Sequence, residues 1–128
     1  MRLLLDTHAF LWWFAGDPQL SNHMQDAILT EDNEVVISSA TAWEIATKYR
    51  LGKLPEAEEL VLDIAGYMAD QDFIELPITL QHALRAGSLP GPHSDPFDRM
   101  LIAQAISDDL VLVSNEIAFD SYGVRRMW

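Results

Sequence analysis

A chain of 128 residues is the size of one compact domain, and with 49 % hydrophobic residues it can bury a real core. It has no cysteine, which excludes disulfides and thiolate metal sites, and no apolar run reaches the roughly 20 residues of a membrane span. Twenty Asp and Glu against eight Lys and Arg give a formal charge of −12, which repels nucleic acid at long range and, taken alone, argues against a nucleic-acid partner.

Arg2–Leu5 reads as a short buried strand ending at Asp6. The opening Met1-Arg2-Leu3-Leu4-Leu5-Asp6 is too short and too soon acidic for a signal peptide, so a cytoplasmic protein is expected. Ala9–Ala15, apolar and without Pro or Gly, predicts a helix stopped by Gly16-Asp17-Pro18. Its Trp12, Trp13 and Phe14 follow one another and cannot share one face, so at least one is expected exposed or in an interface. Ser21 predicts the cap of a second helix reaching about Thr30. After the polar turn Glu31-Asp32-Asn33, the β-branched Val35-Val36-Ile37 predicts a second strand. Ser39 is expected to cap a helix from Ala40 to Leu51, closed by Gly52.

From Glu56 to Asp70, Leu60, Ile64, Tyr67 and Met68 have the spacing of one helix face. Phe73–Leu76 reads as a strand ended by Pro77, and Leu80–Gly87 as a short helix. Leu89 to Ser94 contains two Pro and one Gly and reads as a loop. Pro96 suits the first turn of a helix reaching about Ser107. Asp108-Asp109 is a turn, Leu110–Val113 another buried strand, and a last short strand is expected at Val124–Arg126. Apolar strands alternating with helices predict an α/β fold with a mostly parallel sheet, a single domain over residues 1–128. In such sheets ligands bind beyond the carboxyl ends of the strands.

Four carboxylates fall near that edge. Asp6 follows the first strand, Glu44 lies in the second turn of the helix after the second strand, Asp98 in the first turn of the helix from Pro96, and Glu116 shortly after the strand Leu110–Val113. Brought together they would repel unless a cation neutralised them, and Mg²⁺ or Mn²⁺ suits an all-oxygen site that keeps several waters. Each also has a plainer role. Asp6 can cap the following helix, worth about 1 kcal/mol. Glu44 stands four residues before Lys48, the favourable order for a surface pair. Asp95 and Asp98 have the spacing of a capping box, and Glu116 can be a solvated loop carboxylate. Spacing alone leaves both readings open.

The motifs are more specific than the spacing. Leu4-Leu5-Asp6-Thr7-His8-Ala9-Phe10-Leu11-Trp12-Trp13 resembles the opening of PIN-domain proteins, especially toxins of the VapC class. Ser38-Ser39-Ala40-Thr41-Ala42-Trp43-Glu44-Ile45-Ala46-Thr47-Lys48 with Gly52-Lys53-Leu54, His93-Ser94-Asp95-Pro96-Phe97-Asp98-Arg99-Met100-Leu101-Ile102-Ala103-Gln104-Ala105, and Leu112-Val113-Ser114-Asn115-Glu116 with Phe119 and Tyr122-Gly123-Val124 resemble the family's later blocks, in its order and across the chain.

The resemblance implies a PIN-like three-layer fold, a central parallel sheet flanked by helices, and Mg²⁺- or Mn²⁺-dependent cleavage of RNA. By motif position Asp6, Glu44 and Asp98 match the acidic metal-site residues, and Glu116 stands where many relatives have Asp. Ser114 stands where Thr or Ser is usual and can orient a ligand or water; Asp95 is either a supporting carboxylate or a cap. An antitoxin partner and a homodimer are also implied. His8 and His93 are expected to be structural. Lys48 and Arg99 are the best-placed cations, to contact RNA phosphate or balance the carboxylates. Two rivals stand beside this reading: a metal-dependent phosphatase or DNA nuclease, and a catalytically weak PIN-fold interaction module, which the Glu116 departure and the negative charge favour.

Overall fold

The computed structural model describes residues 1–128. Five strands, β1 (Arg2–Leu5), β2 (Glu34–Ser38), β3 (Ile74–Leu76), β4 (Val111–Val113) and β5 (Arg126–Met127), form one sheet in the order β3-β2-β1-β4-β5. Every pairing is parallel, with Leu4 opposite Val36 on one side and Leu112 on the other. The helices are α1 (Thr7–Ala15), α2 (Asn22–Leu29), α3 (Ser39–Arg50), α4 (Glu58–Asp70), α5 (Leu80–Ser88) and α6 (Pro96–Ser107).

Side chains alternate across a strand, so the central strands feed two cores. Leu3, Leu5, Val35, Ile37, Val111 and Val113 join Phe10 of α1, Met24 of α2 and Leu60 of α4 on one face. Leu4, Val36 and Leu112 join Leu101, Ile102 and Ala105 of α6 on the other, with Phe119 and Val124. This is the α/β, three-layer arrangement expected.

Several boundaries differ for local reasons. The first helix begins at Thr7, before Ala9, because Asp6 Oδ1 accepts from Ala9 N at 2.8 Å and makes Asp6 the cap. The cap of α3 is Ser38 where Ser39 was expected; Ser38 Oγ accepts from Ala40 N at 3.0 Å and donates to Gln104 Oε1 at 2.5 Å. The helix expected from Glu56 is a 3₁₀ turn, Pro55–Ala57, followed by α4, which kinks at Asp63 (φ −157°, ψ 67°). There the Asp63 carboxylate accepts from Gly66 N, a side-chain bond that competes with the helix ladder. A second 3₁₀ segment, Ile117–Tyr122, was not foreseen. It ends at Gly123 with φ +73°, Val124 then sinks into the core, and the last strand moves to Arg126–Met127 from Val124–Arg126.

Candidate metal centre

Each carboxylate is delivered to the C-terminal edge of the sheet by a local device. Asp6 follows β1, its backbone N–H donating to Val113 O at 3.0 Å across to β4. It is 4 % exposed, and its pKa rises from 3.8 to about 6. Burial is the main cause and the Asp98 charge adds to it; the Ser114 hydroxyl, Ala9 N–H and His8 oppose it. Ser114, at the end of β4, is fully buried, and its Oγ accepts from Glu116 N at 3.0 Å.

Glu44, in the second turn of α3, is also buried. The Thr7 hydroxyl donates to its Oε1 at 2.6 Å, and Lys48 Nζ lies 2.5 Å from its Oε2. The Glu44–Lys48 pair foreseen as a surface contact is thus only half at the surface: the carboxylate is inside and the ammonium part-exposed. Asp98, at the start of α6, also has a raised pKa. Burial is the main cause, with Asp95 and Glu44 adding to it and His93 opposing. Asp6 therefore feels Asp98, and Asp98 feels Glu44: the three share one field.

Asp95 is the cap of α6, accepting from Phe97 N at 2.8 Å and Asp98 N at 3.2 Å. Asp98 does not complete a capping box. Its Oδ2 lies 2.8 Å from His93 Nε2, and its Oδ1 takes no hydrogen bond. Glu116 is different: it is exposed, and its side chain pairs with none of the other carboxylates.

Three supporting residues were not singled out for these roles. Thr7 holds Glu44. His93 grips Asp98, with its ring edge-on to Phe119 at 5.4 Å and its N–H donating to Tyr122 Oη at 2.9 Å. Arg99 does not face the carboxylates; its guanidinium donates to the carbonyls of Ala86, His93 and Leu89, fastening the Leu89–Ser94 loop to α6. The signal available in sequence was their position inside the resembling blocks. His8 instead stacks on Trp12 at 5.6 Å. Trp12, Trp13 and Phe14, of which at least one was expected exposed or in an interface, are all half-buried. Trp128, Phe73 and Tyr67 cover them, and Trp13 Nε1 donates to Gln71 Oε1.

The donors are all oxygen, as a hard divalent cation requires, and their mutual repulsion is what such an ion relieves. No group of three or more acidic or imidazole side chains stands close enough to hold a metal ion together. A divalent ion here would therefore take one or two protein carboxylates directly and reach the others through its waters. Each Glu44 oxygen already accepts one hydrogen bond, which leaves it one further lone pair for a cation.

The family model described as PIN domain matches residues 3–124. No curated protein sequence matches the chain. Among solved structures the chain is similar to VapBC2 from Rickettsia felis bound to a promoter DNA fragment (TM-score 0.75, 20 % identity, 99 % of this chain and 98 % of that one). It is similar to DNA-bound VapBC from Salmonella typhimurium (TM-score 0.72, 22 % identity, 99 % and 97 %). It is also similar to FitAcB from Neisseria gonorrhoeae (TM-score 0.69, 20 % identity, 98 % and 96 %). At these identities the likeness is one of fold.

Proposed function

The chain belongs to the PIN domain family, and from that premise we propose that it is a Mg²⁺- or Mn²⁺-dependent ribonuclease, the toxin of a toxin–antitoxin pair. The observation that carries this is the placement of Asp6, Glu44 and Asp98, buried or half-buried carboxylates on three separate elements, at one sheet edge. Asp6, Asp98 and Glu44 would hold the cation, one or two of them directly and the rest through its waters, with Ser114 and Asp95 in support and Glu116 reached only through water or a movement of its loop. When bound, such an ion supplies a Lewis acid for the phosphate and a more acidic water for attack.

The chain's own residues prepare that chemistry. Ala9 N–H fixes the Asp6 carboxylate at the head of α1, and His93 fixes that of Asp98. Thr7 and Lys48 hold the Glu44 carboxylate in place. Arg99 keeps the loop that carries His93 in place. No helix is long and apolar enough to cross a membrane. A similar structure is a toxin–antitoxin complex from Klebsiella pneumoniae, which supports a protein antitoxin as partner; a homodimer and a cytoplasmic setting belong to the same proposal.

Incubation with RNA, DNA and a small phosphate ester in Mn²⁺, with Asp6→Asn as control, tests it. Cleavage of RNA alone, lost in Asp6→Asn, is the expected result. Turnover of the ester or of DNA would point to the phosphatase or DNA nuclease. One observation favours a second reading, the interaction module: Glu44 already has a cation in Lys48. Calorimetry without a specific Mg²⁺ or Mn²⁺ heat would establish it.

A further inference from the structure

Next to each of two site carboxylates in the sequence stands an aromatic residue. Trp43 precedes Glu44 on α3 and Phe97 precedes Asp98 on α6, and their rings meet edge-on with centroids 4.9 Å apart and planes at 79°. Trp43 is 61 % exposed, far more than the aromatic run of α1. An edge-on contact fixes the pair while leaving ring face open to a third partner. A groove of about 220 Å³ runs beside it between α3, α5 and α6, lined by Ala40, Ala86, Pro96 and Met100 as well as the two rings. The one charged residue there, Arg99, is committed to backbone carbonyls.

The cations say what this surface must do. Of the eight Lys and Arg, Arg2, Lys48, Arg125 and Arg126 are paired with carboxylates, and Arg99 holds its loop. Arg50, Lys53 and Arg85 remain for phosphate, and all three are exposed. A strand that gains so little from its backbone must be held by its bases, and base stacking on an aromatic face tolerates any sequence.

We propose that Trp43, braced by Phe97 across α3 and α6, is a stacking platform for an unpaired base of the RNA, which makes Trp43 a positioning residue. This rests on the ribonuclease reading. In chelator, a short oligoadenylate should quench the emission that wild type has and Trp43→Phe lacks, whereas an abasic ribose-phosphate oligomer of the same length should not. In Mn²⁺, Trp43→Ala should raise KM for single-stranded RNA roughly tenfold, the scale of one base–aromatic stack, with kcat within about twofold, and Trp43→Phe should restore most of the loss. Equal quenching by the abasic oligomer, or a wild-type KM in Trp43→Ala while the wild type cleaves RNA, would overturn the platform, leave the ribonuclease standing and assign the exposed indole to a protein partner. A wild type that cleaves no RNA overturns both.

Discussion

Lys48 Nζ sits 2.5 Å from Glu44 Oε2, an internal cation beside a buried carboxylate. With the Glu44 side chain 5 % exposed and Lys48 37 % exposed, the pair is part-buried. Removing the ammonium leaves a buried carboxylate supported by Thr7 alone. Lys48→Met is therefore expected to cost about 1–2 kcal/mol without metal, below the full penalty for breaking a buried pair because one partner is solvated. Saturating Mn²⁺ should recover most of that loss by replacing one cation with another. Urea denaturation with Mn²⁺ and with chelator measures both. An equal loss in the two conditions would remove Glu44 from the metal site.

The raised pKa of Asp6 sets a pH dependence with a definite sign. Unfolded, the carboxyl ionises near 3.8; folded, it keeps its proton to about 6. Between those values the native state binds more protons, so stability falls as pH rises. The contribution is full below the lower value and lost above the upper one. At about 1.4 kcal/mol per pH unit the window is worth on the order of 3 kcal/mol, and Asp98, raised likewise, adds to it. Metal binding needs the ionised form, so Mn²⁺ affinity and cleavage should climb over the same range. Metal-free Asp6→Asn should lose most of the slope while keeping its helix cap, since Asn caps as well as Asp. Thermal melts across the window, for both proteins, decide it; identical slopes would show that Asp6 is not the titrating group.

Asp6, Glu44 and Asp98 were legible in the sequence because each hangs on a local rule: a strand end, the second turn of a helix, a cap followed by Pro. The alternation of Leu3, Leu4 and Leu5 with Val35 to Ile37 likewise announced a sheet buried on both faces. What local pattern cannot show is who meets whom across the chain. The Thr7–Glu44 bond joins α1 to α3, and the His93–Asp98 bond forms only because Arg99 folds the intervening loop back. The aromatic run of α1 was expected to leave a ring exposed or in an interface; distant Trp128, Phe73 and Tyr67 half-bury it, and the exposed indole is Trp43. Glu116 ranked with the other three by its place after β4, yet it stands exposed at the head of an unforeseen 3₁₀ segment.

Salt should affect RNA binding only weakly. Arg50, Lys53 and Arg85 are the cations free of an ion pair or loop role, which caps the phosphates neutralised. For single strands the slope of log K against log salt is about −0.7 per phosphate, so a value no steeper than about −2 is expected. Fluorescence titrations of a single-stranded RNA at several salt concentrations, in chelator, give the slope. A markedly steeper one would mean that the paired arginines release their carboxylates on binding.

Asp95 and Asp98 stand three residues apart with opposite employment. Asp95 accepts two backbone N–H bonds at the head of α6, whereas Asp98 turns to His93 and leaves one oxygen unbonded. Asp95→Ala should then cost about 1 kcal/mol, the usual worth of a cap, and leave partial activity. Asp98→Asn keeps shape and polarity while deleting a charge that Asp95 and Glu44 both disfavour, so metal-free stability should hold or rise slightly. Its activity should vanish, because the amide is a poor substitute for a carboxylate beside a hard cation. His93→Ala separates the two roles further: it removes the group that orients Asp98, so cleavage should fall without reaching zero, and added Mn²⁺ should recover part of it. Denaturation midpoints read beside cleavage rates distinguish the cases. If stability followed Asp98 and activity followed Asp95, the metal ligand would be the residue before Pro96, and the His93 contact would be mere packing.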